Sequence, residues 1–181
     1  MKKCRGRDLN TILALKNNIF SCCNIKNVWK RLKRQITLQN ITGKVTMRDK
    51  RFIAEHRGGP LKKEQHYQLI QWACDCAEHV LYIFGENIDE RLKNSLHVAK
   101  EWKQGNASVG DAREAAVDAH SVARNASNPM AIAVARSVGH AVATAHMADH
   151  SLGAVWYALK AVKNTGKSID AERKWQDEDL P

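Results

Sequence analysis

The sequence predicts an all-α protein: a compact bundle of about five to six helices around a central helix rich in Ala, Gly and His. Three observations predict it. Apolar residues recur three and four positions apart through most of the chain after Met47, the period of a helix face. No strand-like alternation survives over the same residues. Residues 128–163 are dominated by Ala, Gly, Ser and Val, and up to Leu159 their strong polarity is confined to Arg136, Asp149 and three histidines. A helix so small-sided belongs at the centre, where Ala and Gly let neighbouring helices approach closely.

At 100° per residue, Arg136, Gly139, His140, Ala143, Met147 and His150 share one side of that stretch, with His146 at its edge. Val134, Val138, Ala141 and Ala145 lie opposite. The polar groups therefore cluster rather than scatter.

The elements follow in order. His56-Arg57-Gly58-Gly59-Pro60 reads as a turn whose proline opens a helix. A first helix is expected over residues 61–84, with Leu69, Ile70, Ala73, Cys76, Ala77, Val80, Leu81 and Phe84 inward and Gly85 ending it. Asp89 caps a second, which presents Leu92, Leu96, Ala99 and Trp102 and closes at Gly105. Ser108 and Asp111 form a capping box for a third, running to about Ser127 with a nearly all-alanine face from Ala112 to Ala126. Asn128 and Pro129 open the central stretch. One helix of about 37 residues is long for a domain of this size, so a break is expected near residues 149–151. Leu152, Val155, Trp156, Leu159 and Val162 then form the stripe of a fifth helix, Gly166 ends it, and Ser168 caps a short last one before an acidic tail.

Charge divides the chain. Residues 1–50 hold 13 Lys/Arg against 2 acidic residues, whereas residues 51–181 hold 16 against 17. The total of +10 is therefore no nucleic-acid signature for the folded part, residues 47–181, and no nucleic-acid partner is expected for it. Residues 1–46 read as a basic extension: either translated upstream sequence with the start at Met47, or a disordered tail, or a basic arm built on a short helix over residues 28–36 that could touch nucleic acid or a membrane. No apolar run is long enough to span a membrane, and no secretory signal is evident. Five cysteines (Cys4, Cys22, Cys23, Cys74 and Cys76) without a framework spacing fit free thiols in a cytoplasm.

His146 and His150, four apart on an expected helix, form the best metal-ligand spacing, and Asp149 or His120 could complete a zinc site. His140 is expected to stand about 15 Å from His150, ten residues along one helix. The structural alternative is a set of half-buried histidines bonded to backbone, Thr144 or a carboxylate. Glu78 and His79 read as an acid/base pair or a structural ion pair, and Arg57 as a group for an anion or a partner carboxylate. Cys74 and Cys76 read as packing residues. No phosphate loop, nucleophile elbow or Cys-x-x-Cys pair occurs.

These pieces carry a resemblance. His56-Arg57-Gly58-Gly59, the run from Trp72 to Leu81, Ala119-His120, the run from Gly139 to His146, and the close from Glu172 to Gln176 with Leu180-Pro181 resemble the immunity proteins of bacterial polymorphic toxin systems, in the branch called immunity family five. The resemblance covers about residues 50–181. It implies a small helical cytoplasmic protein, not an enzyme and without a cofactor, that binds and neutralises a cognate protein toxin. The side chains expected to face such a partner are Arg57, Glu78, His79, Arg113, His120, His140 and His146. The rival reading is a metal-binding helical protein or metal-dependent enzyme using His120, His146 and His150.

Overall fold

Short-range signals start and stop the helices where they were expected in most cases. The structure, a computed structural model, describes residues 49–181, and among them forms six α-helices and no strand. They are α1 (Lys63–His79), α2 (Glu90–Gln104), α3 (Val109–Asn125), α4 (Pro129–Ala143), α5 (His150–Asn164) and α6 (Ile169–Glu178). The basic stretch 1–46, with the helix expected over residues 28–36 and Cys4, Cys22 and Cys23, lies outside the described residues.

Asp89 accepts the Arg91 amide at the start of α2, and Gly105 closes that helix at φ 87°, a conformation that costs glycine little. Ser108 and Asp111 form the reciprocal capping box of α3. The Asn128 side chain accepts the Met130 amide, with Pro129 in the first turn of α4. Ser168 accepts the Asp170 amide to open α6.

Residues 61–84 are not one helix. α1 stops at His79, and a separate 3₁₀ turn, Leu81–Phe84, carries the chain to Gly85. Pro60 does not open α1 either. Leu61 instead pairs with Ala54 in an isolated bridge, and the loop is drawn onto α1 by Glu55, which accepts from Lys62 Nζ and the Lys63 amide at 3.0 Å each. Gly59 makes this fold-back feasible: a Cβ there would fall 1.9 Å from the Ile53 carbonyl oxygen. Replacing Gly59 by alanine is expected to cost about 1–2 kcal/mol, mostly as local opening, since backbone rather than a side chain must move. Hydrogen exchange checks it: the Leu61 amide, bonded to the Ile53 carbonyl at 3.1 Å, should lose protection before the helices do.

α4 is the centre. It packs mainly against α5 and α3 and also touches α1 and α2. Its Ala131, Ala133, Val134, Ala135, Val138, Ala141 and Val142 are all buried. On α3, Ala112, Ala115, Ala116 and Ala119 are also buried, small side chains that let the neighbouring helices approach closely. Hydroxyls fit into the same tight contacts: Ser137 Oγ donates to the Ala154 carbonyl at 2.8 Å, and Ser95 Oγ lies 2.9 Å from the Ala115 carbonyl. A core built of alanine gains little free energy per side chain, so its stability rests on fit.

The central stretch breaks earlier than expected. α4 ends at Ala143, residues 144–149 form turns, and α5 begins at His150. A long-range contact holds the chain at this break. The buried His66 of α1 lies 2.6 Å through Nε2 from the Thr144 carbonyl, and Nε2–H donates to it. The Thr144 hydroxyl bonds back to the His140 carbonyl at 3.1 Å. Two further corrections concern tryptophans. Trp156 does not join the inward stripe of α5 but is 42 % exposed, because Leu152, Val155, Leu159 and Val162 with Ala154, Ala158 and Ala161 already fill that side. Trp72, absent from the expected face of α1, is buried, and its Nε1–H donates to the Gln176 carbonyl of α6.

Candidate functional site

The early break folds α5 back along α4 and brings together histidines that one straight helix would hold apart. His140 Nδ1 lies 3.3 Å from His150 Nδ1, so the separation of about 15 Å expected from a continuous helix is overturned. His146 and His150 remain neighbours, with ring centroids 5.0 Å apart, but His146 stands in the turn and not on the helix. His120 comes from α3 and meets His140 edge to face at 5.2 Å. Four imidazoles thus run in a half-buried row, His120–His140–His150–His146.

Two glycines seat that row. A Cβ at Gly139 would lie 2.5 Å from His120 Cε1 and 2.6 Å from its Nδ1. A Cβ at Gly153 would lie 2.7 Å from His140 Nδ1. Each ring therefore occupies the space that a Cβ on the facing helix would take. Tyr157 of α5 stacks on His140 at 5.3 Å with an interplanar angle of 14°. Of these supports, Gly139 was on the polar side of the helical wheel, whereas Gly153 and Tyr157 were missed. Isolated glycines inside helices were the available signal.

His120 and His140 are electrically neutral near pH 7. Burial first, then the charges of Arg136, His150 and Arg124, hold His120 down at about 4. Burial first, then His120, His150 and Arg136, hold His140 at about 4. Arg136 Nη1 sits 3.4 Å from His120 Nδ1; a guanidinium can only donate, so Nδ1 accepts and His120 carries its proton on Nε2. Neutral rings of this kind offer hydrogen-bond donors and acceptors at the rim of an apolar core. Among the described residues, no group of three or more His, Cys, Asp or Glu side chains that could hold a metal ion occurs.

The other sequence candidates are not drawn into this row. His79 pairs across to α6: its Nδ1 lies 2.9 Å from Glu172 Oε2, and its ring stacks on Trp175 at 3.8 Å. Glu78 turns away to Lys100 Nζ at 2.6 Å, so Glu78 and His79 have separate partners and do not face each other as one acid/base pair. Arg57 is exposed at the end of a 3₁₀ turn, and Arg113 is exposed on α3. Cys74 and Cys76 are buried and free, and burial pushes both thiols up, Cys74 to about 12, which leaves them protonated packing groups.

Among the described residues no helix is long and apolar enough to cross a membrane. No curated protein and no solved structure matches the chain. A family model described as "Imm-5 like putative immunity protein" matches residues 59–181, which takes in all six helices and the whole histidine row. The chain belongs to that Imm-5-like family of immunity proteins.

Proposed function

We propose that this protein binds and neutralises a cognate bacterial toxin in the cytoplasm of the cell that makes it, by protein–protein contact and without catalysis. The observation that carries the reading is the family match over residues 59–181. The geometry is compatible with it. An inhibitor of this kind needs a rigid scaffold and a complementary face, and α4 is clamped by four other helices. Of the candidate contact residues, His120, His140 and His146 form one half-buried polar surface with His150, and offer a partner hydrogen-bonding groups. Arg57, Glu78, His79 and Arg113 are further candidates outside that surface.

Co-expression tests the reading. The full-length protein is produced together with the toxin domain encoded beside it, and surviving cells are counted. Rescue accompanied by a co-purifying complex is expected. A domain that kills equally well with and without this protein would contradict it.

A further inference from the structure

A groove of about 380 Å³ opens between the C-terminal half of α5 and the start of α6, away from the histidine row at the other end of α5. Leu159 and Ile169 give it an apolar base, and the half-exposed Trp156 lines it as well. Lys160, Lys163 and Arg173 line the same groove, and no Asp or Glu is among its described lining residues. Trp156, Leu159, Lys160 and Lys163 recur at helical spacings of three and four, so one side of α5 presents all four. Asn164, also in the lining, is held in place by its donation to the Pro129 carbonyl at 3.0 Å.

The cations are uncommitted. Among the described residues none of the three stands in an ion pair, while Lys62, Lys93, Lys100 and Lys174 each meet a glutamate. Lys160 rests only over the Tyr157 ring, at 5.9 Å. Arg173 joins the two lysines in the lining, and its Nε is buried with no hydrogen-bond partner among the described residues. The carboxylates nearest to Arg173 in sequence are engaged elsewhere: Glu172, buried, meets His79 Nδ1 at 2.9 Å and accepts from Gln176 Nε2 at 2.7 Å, and Asp170 accepts from the Ser168 hydroxyl at the cap of α6. Residues 51–181 are close to neutral as a whole, so this concentration of positive charge is a local feature.

An apolar base with three unpaired cations matches a segment that carries both a large apolar side chain and carboxylates. We infer that the α5–α6 groove is the docking site for an acidic, apolar-anchored segment of the protein partner. The inference rests on the partner-binding reading above and adds a surface that none of its candidate residues touches.

The test uses full-length, ¹⁵N-labelled protein titrated with a short peptide that alternates glutamate with phenylalanine and leucine, and with its glutamine counterpart. The glutamate peptide is expected to move the Trp156 indole and Arg173 Nε–H signals, and the glutamine counterpart to bind about tenfold more weakly or worse. K160E/K163E, which changes only exposed side chains, should lose the glutamate peptide by a similar factor with an unchanged melting temperature. R173M is the second variant, and K93E on α2 is the neutral control. Unmoved Trp156 and Arg173 signals, or equal binding of the two peptides, would overturn the inference. The cognate toxin separates it from the broader reading. A toxin complex equally tight with wild-type protein and with K160E/K163E removes the groove inference and leaves the immunity reading standing, whereas a wild-type protein that forms no complex overturns both.

Discussion

Replacing Gly139 by alanine is expected to destabilise the protein by about 2–3 kcal/mol, even though alanine is the better helix former by up to about 1 kcal/mol. The added Cβ would lie 2.5 Å from His120 Cε1 and 3.0 Å from its Cγ, so the whole ring must lift off α4. Lifting it removes the contact with His140 and the Arg136 hydrogen bond together. The sign of the effect is diagnostic. In an H120A background the obstacle is gone, and the same Gly139→Ala change is expected to stabilise by about 0.5–1 kcal/mol through helix propensity. Urea denaturation of the four proteins in this cycle checks it. A Gly139→Ala penalty that persists without His120 would mean that something other than this ring requires the glycine.

Acid is the second large effect. In the unfolded chain, His120 and His140 return to an ordinary histidine value near 6.5, while in the folded protein both sit at about 4. Between those values the unfolded state binds protons that the folded state refuses, so stability falls as pH falls through this window. Above pH 6.5 the two groups contribute no slope, and below about 4 their contribution levels off. With the half-exposed rings partly screened by water, the two together are expected to remove about 3 kcal/mol. His66, held low by burial against its bond to the Thr144 carbonyl, adds slope of the same sign. Burial sets this window first, and charged and titratable groups on three helices add to it: Arg124 and His120 on α3, Arg136 and His140 on α4, and His150 on α5. Melting temperatures taken from pH 7 to pH 4 read the effect, and an H120N/H140N variant should show a flatter profile. An equally steep profile in that variant would place the acid sensitivity elsewhere.

What could be read from the sequence divides by range. Helix ends set by neighbouring residues were legible: Asp89, Gly105, the Ser108–Asp111 box, Asn128–Pro129 and Ser168 act within four positions of themselves. The alanine face of α3 and the central position of α4 followed from side-chain size alone. The break after Ala143 did not, and the contact made there is tertiary: His66, a residue 78 positions away, donates to the Thr144 carbonyl. That one displacement carried the site with it. A break at residues 149–151 keeps His140 and His150 apart, whereas a turn at residues 144–149 puts their Nδ1 atoms 3.3 Å from each other. The pairing of Gly139 with His120 and of Gly153 with His140 is likewise tertiary: each glycine is legible as an anomaly within its helix, but its ring comes from another helix. The partners of His79 were hidden for the same reason, since Glu172 and Trp175 arrive from α6.

The central claim is neutralisation by occupancy rather than by chemistry, and titration tests it most directly. Purified full-length protein is added in steps to a fixed amount of its purified cognate toxin, and the remaining toxin activity is followed at each step until it is constant. Activity is expected to fall in proportion to the protein added, to reach its floor near equimolar amounts, and to return when toxin is separated from the complex and refolded. Toxin activity that drains away completely under a small fraction of an equivalent, or that never falls, would contradict the claim.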